Sequence, residues 1–271
     1  MKAERDYIFG THDEEIERLA LQHRVWRPRT LDAWRRAGFT VGQTLLDIGC
    51  GPGFATIDLA EIVGPSGRVV AVDRSRRFLD ALESSRERLA LAQIESHELD
   101  LDEAPLPKIH VDGAWSRWVF AFVKRPRALL ERVAKLVKPG GSLVLFEYFD
   151  YSTWRFAPRS LEMEEFVRIV TESWRATGGE PDVGLDLPAW LEELGFDVRR
   201  LHPIIDVVTP KSYVWQWPKS FVQLGLDRLI ELGLLTRERA RAMAMEFAAR
   251  EAAPNTLMIT PAVLEIVAFR R

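Results

Sequence analysis

The sequence predicts an α/β fold: a doubly wound, mostly parallel sheet of seven strands between layers of helices. Two observations lead to this fold class. Short apolar runs of strand length alternate with longer segments whose apolar residues recur at helical spacing, and glycine- and proline-rich turns separate them. Because parallel strands need crossover connections, this alternation places helices on both faces of the sheet. At 271 residues, the chain fits one such domain with insertions.

Seven apolar runs supply the predicted strands, and segments with helical spacing lie between them. The strands are expected at residues 44–48, 68–72, 93–99, 111–115, 142–149, 197–208 and 256–269, the last with a bend near Pro261. Helices are expected at residues 13–36, 54–63, 75–91, 126–137, 161–176, 187–194, 221–232 and 237–250. We expect Pro28 to break the first helix, because proline lacks the N–H of a helical hydrogen bond, and Ser75 to cap the third.

The most specific motif is L-L-D-I-G-C-G-P-G-F at 45–54, in which a buried strand leads directly into a glycine-rich turn and a helix. Glycines adopt backbone angles closed to other residues, and their missing Cβ atoms let a ligand approach the main chain. Asp73 ends the second strand, where nucleotide-binding α/β folds read a ribose. Alone it is equally well explained as a cap of the next helix. Together, the turn and Asp73 predict a nucleoside-containing ligand.

The residue after the last glycine separates two classes of nucleoside ligand. Dinucleotide sites use G-x-G-x-x-G, in which the third glycine allows close helix packing. Here the glycines read G-x-G-x-G, and Phe54 stands where that third glycine would be. A side chain of this size disfavours a dinucleotide, whereas a sulfonium cofactor carries no pyrophosphate for the loop to neutralise. A nicotinamide-dependent oxidoreductase remains the first alternative.

Over about residues 44–149 the chain resembles the class I, Rossmann-like S-adenosylmethionine-dependent methyltransferases. Three motifs in order carry the resemblance: L-L-D-I-G-C-G-P-G at 45–53, V-V-A-V-D at 69–73 and L-V-K-P-G-G-S-L at 136–143. The resemblance implies S-adenosylmethionine as cofactor and S-adenosylhomocysteine as its product. It also implies the strand order 3-2-1-4-5-7-6 with the seventh strand antiparallel, and the seven predicted strands match that count.

The resemblance assigns one group of residues to the methionine part of the cofactor. Gly49, Cys50 and Gly51 would pack against it. Ser116, after the fourth strand, would contact the amino end through its backbone, and Asp47 would act less directly near the same amine. These positions lie at the ends of the first and fourth strands, so the methionine part is expected between them.

A second group of residues is implied for the nucleoside. Asp73 would accept hydrogen bonds from both ribose hydroxyls, and Arg74 adjoins it. Asp100 and Leu101 would flank adenine, with the Asp100 carboxylate at the exocyclic amine. Gly53, the last glycine of the turn, completes the expected cofactor-binding set, and no metal site is expected.

The domain is expected to carry a lid and two caps. The N-terminal stretch is similar to a leader in small-molecule members of the family, in which a helix closes over the cofactor. The residues that carry this similarity are 7–10, Glu14, Ile16, Arg18, Leu19 and Gln22. The alternative is a plain amphipathic helix that packs on the sheet. We divide one structural domain into a helical lid segment (1–40), the cofactor-binding core (41–150), a first cap insertion (151–182), more core (183–208), a second helical cap insertion (209–254) and the last core strand (255–271).

Aromatic residues concentrate in the two cap insertions. They are Trp154, Phe156, Phe166 and Trp174 in the first, and Trp215, Trp217, Phe221 and Phe247 in the second. Most of them would form the core of the caps. A cap of this composition above the sheet also predicts an apolar pocket for a small organic molecule.

The methyl acceptor decides whether a base is needed. Methyl transfer from a sulfonium is an in-line displacement, so positioning supplies much of the rate. For a phenol or carbon acid the candidate bases are Glu147, Tyr148 and Asp150, with Glu147 first. The alternative for Glu147 is a structural carboxylate paired with an arginine such as Arg117. Methyltransferases that act on amino groups resemble one another in an Asn/Asp/Ser-Pro-Pro-aromatic sequence at the end of the fourth strand. This chain lacks that sequence, which disfavours amide and nucleobase groups as methyl acceptors.

The composition of the chain narrows the classes of partner and the cellular location that we expect. The net charge of -3, from 40 acidic and 37 basic residues spread along the chain, disfavours nucleic acid. The single cysteine, Cys50, excludes an intrachain disulfide. Residues 1–15 lack the apolar core of a signal peptide and no run is long enough to span a membrane, so we expect a cytoplasmic protein without a membrane partner. The oligomeric state stays open.

These observations predict methyl transfer from S-adenosylmethionine to a small, largely apolar or aromatic metabolite, with O- or C-methylation ahead of N-methylation. Besides the oxidoreductase, two alternatives remain. One is a catalytically silent S-adenosylmethionine-binding regulator, and the other is an RNA methyltransferase, which the acidic balance disfavours.

Overall fold

The computed structural model describes residues 13–271, so the predicted leader motif at 7–10 lies outside the described residues. The helices are α1 (Asp13–Arg36), α2 (Phe54–Val63), α3 (Arg76–Arg88), α4 (Pro126–Leu136), α5 (Leu161–Ala176), α6 (Leu187–Glu193), α7 (Gln216–Glu231) and α8 (Arg237–Ala252). The strands are β1 (Thr44–Ile48), β2 (Arg68–Asp73), β3 (Ile94–Glu98), β4 (Val111–Arg117), β5 (Val137–Asp150), β6 (Arg155–Ala157), β7 (Phe196–Ile204), β8 (Val207–Val208), β9 (Leu257–Ile259) and β10 (Ala262–Arg270).

Seven of these strands form one sheet in the order β3-β2-β1-β4-β5-β10-β7. Strands β1 to β5 pair in parallel, and β10 runs antiparallel to both of its neighbours. Counted along the chain within this sheet alone, the order is 3-2-1-4-5-7-6, so the predicted fold class and strand order are confirmed. The central strands are continuous apolar runs: Leu45, Leu46 and Val69 to Val72 are fully buried, as expected for strands covered on both faces.

The last two predicted strands are each divided between two sheets. The run predicted at 197–208 becomes β7 and β8, and the run predicted at 256–269 becomes β9 and β10. Strands β8, β9 and β6 form a separate three-stranded sheet in the order β6-β9-β8. Both breaks lie at one corner, where Thr260 N–H donates to the Asp206 carbonyl at 3.0 Å. The predicted bend near Pro261 is a complete break, since proline has no N–H for the ladder.

Helix α1 is continuous, and the predicted break at Pro28 is wrong. Pro28 and Arg24, whose carbonyl loses its helical partner to the proline, both lie on the exposed face, so water can satisfy that carbonyl. The opposite face is anchored by fully buried tryptophans: Trp34 meets Trp115 of β4 edge-on, with ring centroids 5.1 Å apart. Packing on the sheet therefore outweighs the local cost of the proline.

The caps contain an aromatic core of their own. Trp154 contacts Phe166 of α5 edge-on at 5.7 Å, and Trp215 contacts Phe247 of α8 at 5.8 Å. Helices α5, α7 and α8 pack on one another and α7 also packs on α1. The caps thus roof the carboxyl end of the sheet. Among residues 13–271, no helix combines the length and apolarity needed to cross a membrane.

Candidate functional site

One cleft opens at the carboxyl ends of β1, β2, β4 and β5, the edge where open α/β sheets bind ligands. Helix α1 borders it on one side and the caps on the other. It is lined by Arg18, Leu19, Gln22, Asp47, Gly49, Cys50, Gly51, Pro52, Phe54, Ala55, Asp73, Arg74, Asp100, Leu101, Asp102, Trp115, Arg117, Trp118, Val119, Phe122, Val123, Tyr148, Trp174 and Phe221. Strand ends and caps therefore share a single cavity.

Eight of the ten predicted cofactor-binding residues line this cleft: Asp47, Gly49, Cys50, Gly51, Asp73, Arg74, Asp100 and Leu101. Ser116 does not line it. Its hydroxyl is fully buried and donates to the Ile48 carbonyl at 3.3 Å. Because side chains alternate along a strand, its neighbours Trp115 and Arg117 face the cleft instead.

The three glycines of the turn have different structural roles. Gly51 has φ +54°, and a Cβ there would meet no atom within 4 Å, so its open side faces the cleft. A Cβ on Gly49 would come 2.3 Å from Val119 Cγ2, and one on Gly53 would come 2.3 Å from Leu82 Cδ1. The missing side chain thus makes room for a ligand at Gly51. At Gly49 and Gly53 it makes room for the protein itself.

Asp73 combines the two roles that its sequence position allows. Its carboxylate accepts the N–H of Gly51 at 2.8 Å and the N–H of Ser75 at 2.9 Å, so it ties β2 to the glycine turn and starts α3. Burial raises the pKa of this carboxyl, and the hydrogen bonds from Ser75 and Gly51 oppose that rise. Each carboxylate oxygen keeps a further lone pair. The side chain can therefore still accept ligand hydroxyls from the cleft that it lines.

Asp47 and Cys50 are buried groups at the methionine end predicted from the sequence. The Asp47 carboxylate accepts the Thr56 hydroxyl at 2.6 Å, and burial raises its pKa to about 7 against that hydrogen bond. Burial also raises the pKa of the Cys50 thiol well above its ordinary value. A thiol held protonated is a poor nucleophile. Cys50 is therefore a packing surface in this cleft.

The loop after β3 holds Asp100 and Leu101 at the far end of the cleft. The Asp100 carboxylate accepts the N–H of Asp102 at 2.8 Å, and Asp102 in turn accepts the N–H of Lys124 at 2.8 Å. Arg132 donates to the carbonyl of Leu101. These bonds fasten the loop to the neighbouring loop after β4. The position of Asp100 and Leu101 in the cleft is thus built into the scaffold.

The end of the cleft at the loop after β4 and the caps is formed by aromatic side chains, which we call the aromatic wall. Its members are Trp118, Phe122, Tyr148, Trp174 and Phe221. Phe122 and Trp174 meet edge-on with centroids 4.8 Å apart, and Trp118 stacks on Tyr148 at 5.3 Å with planes 10° apart. This end is apolar, with the Tyr148 ring within it.

Sequence reasoning missed two residues of the wall, Phe122 and Trp118, and Trp118 has the more unusual backbone. It adopts a left-handed backbone with φ +54°, which is strained for a non-glycine residue. Its ring is held between Tyr148 and Trp217, the latter at 5.3 Å with planes 7° apart, and Trp26 contacts its edge at 5.1 Å. The available signal was its place directly after the carboxyl end of β4, at the edge of the sheet where Asp73 ends β2.

Glu147, the first-choice base, does not reach the cleft. It is fully buried, and its carboxylate accepts backbone N–H groups of Val119 at 2.8 Å, Phe120 at 3.0 Å and Ala121 at 3.4 Å. Burial raises the pKa of this carboxyl to about 7, opposed by those three bonds. Among the described arginines, none forms an ion pair with Glu147, so that alternative is not realised in this part of the chain either. Glu147 instead fixes the loop that carries the aromatic wall.

Of the other two candidate bases, one lines the cleft and the other does not. Asp150 does not line the cleft, and its carboxylate accepts the N–H of Ser152 at 3.0 Å. Tyr148 does line it. Of the three candidates, Tyr148 is therefore the one in contact with the space where an acceptor would sit.

Known proteins match the part of the chain that builds this cleft. The family profile described as a methyltransferase domain matches residues 46–145. The chain is 30% identical over 141 residues to the demethylmenaquinone methyltransferase of Oceanobacillus iheyensis, covering 52% of this chain and 58% of that protein. It is 27% identical over 206 residues to the demethylmenaquinone methyltransferase of Bacillus licheniformis, covering 72% and 87%.

A solved structure extends the likeness to most of the chain. A S-adenosylmethionine-dependent methyltransferase from Mesorhizobium loti matches with a TM-score of 0.55 at 19% identity, covering 92% of this chain and 100% of that one. At this identity the likeness concerns the fold. The chain spans about half the length of the first curated relatives that it matches, with 47%, 58% and 49% of each covered.

Proposed function

The chain carries a class I, Rossmann-like S-adenosylmethionine-dependent methyltransferase domain, and from this premise we propose that it methylates a small, largely apolar or aromatic metabolite. The observation that carries this proposal is the single cleft, in which the glycine turn and the acidic strand ends face the aromatic wall. A methyl donor held at one end would present its methyl group to an acceptor held at the other.

The cofactor end suits S-adenosylmethionine better than a dinucleotide. The Phe54 ring lines the cleft and stacks on His23 with centroids 6.0 Å apart. It occupies the position where a dinucleotide fold places its third glycine. Asp73 supplies an acceptor for ribose hydroxyls, and Asp100 with Leu101 borders the place proposed for adenine. This favours the methyltransferase over the nicotinamide-dependent oxidoreductase.

The aromatic wall supports an aromatic acceptor. Aromatic side chains that line a pocket hold flat apolar ligands by contacts with ring edges and open ring faces and by excluding water. Two of the relatives above are named for the methylation of demethylmenaquinone, an acceptor with an aromatic ring system. We therefore place phenols and hydroquinones first, with O- or C-methylation ahead of N-methylation.

Positioning is the main contribution we assign to the protein. When bound, the cofactor supplies a methyl group on a sulfonium, an already activated leaving group. Asp73 and the glycine turn fix one reactant and the aromatic wall fixes the other, which makes the displacement effectively intramolecular. The wall also keeps water from the reacting carbon. Tyr148, the one candidate base among the three that lines the cleft, would orient an acceptor hydroxyl by a hydrogen bond.

The test is calorimetry followed by a transfer assay. We expect S-adenosylmethionine and S-adenosylhomocysteine to bind, NADH to give no heat, and labelled methyl to pass to members of a phenol and hydroquinone panel. Binding of NADH alone would establish the oxidoreductase. Binding of S-adenosylmethionine with no transfer to any acceptor would favour the silent regulator, and transfer to RNA but not to the panel would contradict the proposed acceptor class.

A further inference from the structure

Arg117 is a cation of the cleft without a counterion. It ends β4 and lines the cleft. Its contacts are a long hydrogen bond to the Thr30 hydroxyl at 3.4 Å and the ring of Trp118, whose centroid lies 5.2 Å from the guanidinium carbon. Within residues 13–271, no carboxylate oxygen lies within 4.0 Å of the Arg117 guanidinium nitrogens, the distance limit for an ion pair.

The carboxylates nearest to Arg117 are held by other groups. Asp58 accepts Arg27 Nε at 2.8 Å and lies 3.1 Å from His23 Nε2. Asp47 accepts the hydroxyl of Thr56. Burial lowers the pKa of Arg117 to about 10, so the guanidinium stays charged at neutral pH. A partly buried guanidinium that faces the cleft with no carboxylate at ion-pair distance is favourably placed to bind an anionic group of a ligand.

Strand register shows which part of a ligand Arg117 faces. Asp47 pairs with Trp115 and Ile48 with Ser116 across β1 and β4. The next positions, Gly49 and Arg117, therefore lie side by side at the carboxyl edge. Asp47, Trp115 and Arg117 point to one face of the sheet because paired residues share a face and the period is two. Arg117 thus lies beside the turn proposed to pack the methionine part.

The other arginines of the cleft are placed differently. Arg18 forms an ion pair with Glu15, with Nη2 and Oε1 2.7 Å apart. Arg74 follows Asp73 at the nucleoside end and is exposed. Arg117 alone of the three combines a lack of carboxylate partner with a place at the glycine turn, in the described part of the chain.

We propose that Arg117 binds the α-carboxylate of the methionine part of the cofactor. This inference rests on the proposed function. The methionine part carries an ammonium and a carboxylate on one carbon. On one face of the sheet the cleft presents a hydrogen-bond acceptor, the Asp47 carboxyl, and a cation, Arg117, which do not form an ion pair with each other. A guanidinium offers two parallel N–H donors to a carboxylate. The two side chains together recognise the zwitterion.

The experiment compares three ligands that share the adenosyl group. S-adenosylhomocysteine has the whole methionine-derived part, its decarboxylated analogue S-adenosyl-3-thiopropylamine lacks only the carboxylate, and 5′-methylthioadenosine lacks both charges. Calorimetry is run on the wild type, Arg117→Met, Arg117→Lys and the control Arg24→Met, which removes an exposed arginine of α1. Thermal melting and circular dichroism report whether each variant is folded.

We expect the wild type to bind S-adenosylhomocysteine about 30-fold more tightly than the decarboxylated analogue. Arg117→Met should lose that difference by weakening only S-adenosylhomocysteine, Arg117→Lys should keep part of it, and Arg24→Met should match the wild type. Methylthioadenosine should bind all four proteins equally, which also shows that the nucleoside site is intact.

Three results overturn the inference. If Arg117→Met binds S-adenosylhomocysteine like the wild type but raises the acceptor KM, the anion belongs to the acceptor. If it loses all three ligands and melts earlier, Arg117 is structural. If the wild type binds methylthioadenosine and S-adenosylhomocysteine but does not distinguish the decarboxylated analogue, Arg117 has no role in recognition while the proposed function stands. Failure of the wild type to bind any of them removes the proposed function as well.

Discussion

The proposed cofactor end and the proposed acceptor end of the cleft consist of different chemical groups. The proposed cofactor end consists of main-chain turns and carboxylates at or just after the carboxyl ends of β1, β2 and β3, within residues 47–101. The proposed acceptor end consists of aromatic side chains brought together from the loop after β4 and from β5, α5 and α7, between residues 118 and 221. Hydrogen-bonded turns can position a polar ligand with few residues. An apolar pocket needs surfaces from several elements, and so it depends on the whole fold.

The two ends meet at the loop after β4. Val119 fills the space beside Gly49, where a Cβ would come within 2.3 Å of its Cγ2, and the Glu147 carboxylate accepts the Val119 N–H at 2.8 Å. Trp118, one residue earlier, belongs to the aromatic wall. The boundary between methyl donor and acceptor is therefore a tightly bonded segment. Substitutions on either side of it should separate binding of the cofactor from binding of the acceptor.

The largest effect is expected from Gly51→Val at the cofactor end. Its side chain would project into the open cleft at a φ of +54° and occupy space meant for the ligand. We expect binding of S-adenosylhomocysteine in calorimetry to fall below detection. The matched control is Gly140→Val, where φ is +79° and no atom lies within 4 Å of the added Cβ. Both variants carry about 1–2 kcal/mol of backbone strain, so equal loss of binding in both would refute the assigned role of Gly51.

Asp73→Ala tests the nucleoside contact and should weaken S-adenosylhomocysteine binding tenfold or more. The variant removes an acceptor for ribose hydroxyls and also the bond that holds the Gly51 N–H. Asp112→Ala is the control, since Asp112 accepts the Thr44 N–H at 2.8 Å at the opposite edge of the sheet. Affinity that is unchanged in Asp73→Ala, or reduced equally in the control, would remove Asp73 from the site.

At the acceptor end, Phe221→Leu should raise the acceptor KM about fivefold and leave S-adenosylhomocysteine affinity within about twofold. Phe247→Leu is its match: both rings are buried in the caps, 8% and 6% exposed, but only Phe221 lines the cleft. Steady-state kinetics with the best acceptor of the panel measures the difference. A larger effect of Phe247→Leu than of Phe221→Leu would contradict the assignment of the aromatic wall.

The smallest effect on catalysis is expected from Glu147→Gln, at the boundary between the two ends. The glutamine oxygen can keep the bonds from Val119 and Phe120, so kcat should stay within about twofold and its pH profile should not move. Loss of activity together with loss of a limb of the pH profile would restore Glu147 as a base.

The same variant, Glu147→Gln, should also change how the stability of the folded protein depends on pH. Burial raises the pKa of Glu147 from 4.5 to about 7, so the folded state holds the proton more tightly than the unfolded state. The resulting stabilisation is complete below about pH 4.5 and is lost as pH rises through 7, with a total of about 3 kcal/mol. We therefore expect the wild type to lose stability relative to Glu147→Gln between pH 5 and 8 in thermal melts. Asp47, whose pKa is also about 7, titrates in both proteins and cancels in the difference.

Local sequence was sufficient for much of the fold and for eight of the ten proposed cofactor-binding residues to be found in one cleft. The predicted strands at 44–48 and 68–72 coincide with β1 and β2 to within a residue, and the predicted order of the sheet is confirmed. Where a prediction concerned one residue in isolation, it was less reliable. Pro28 does not break α1, since the cost falls on an exposed carbonyl, and Glu147, the first-choice base, is buried under backbone N–H groups away from the cleft.

By itself, the sequence determined the glycine turn, Asp73 and the alternation of strands and helices, since each depends on backbone conformations set by neighbouring residues. The tertiary structure alone decided the stacking of Trp118 between Tyr148 and Trp217, the burial of Glu147 under three N–H groups, and the unpaired charge of Arg117. These features depend on which elements meet at one edge of the sheet. Burial and pairing between residues far apart in the chain have no signature in the spacing of the residues themselves.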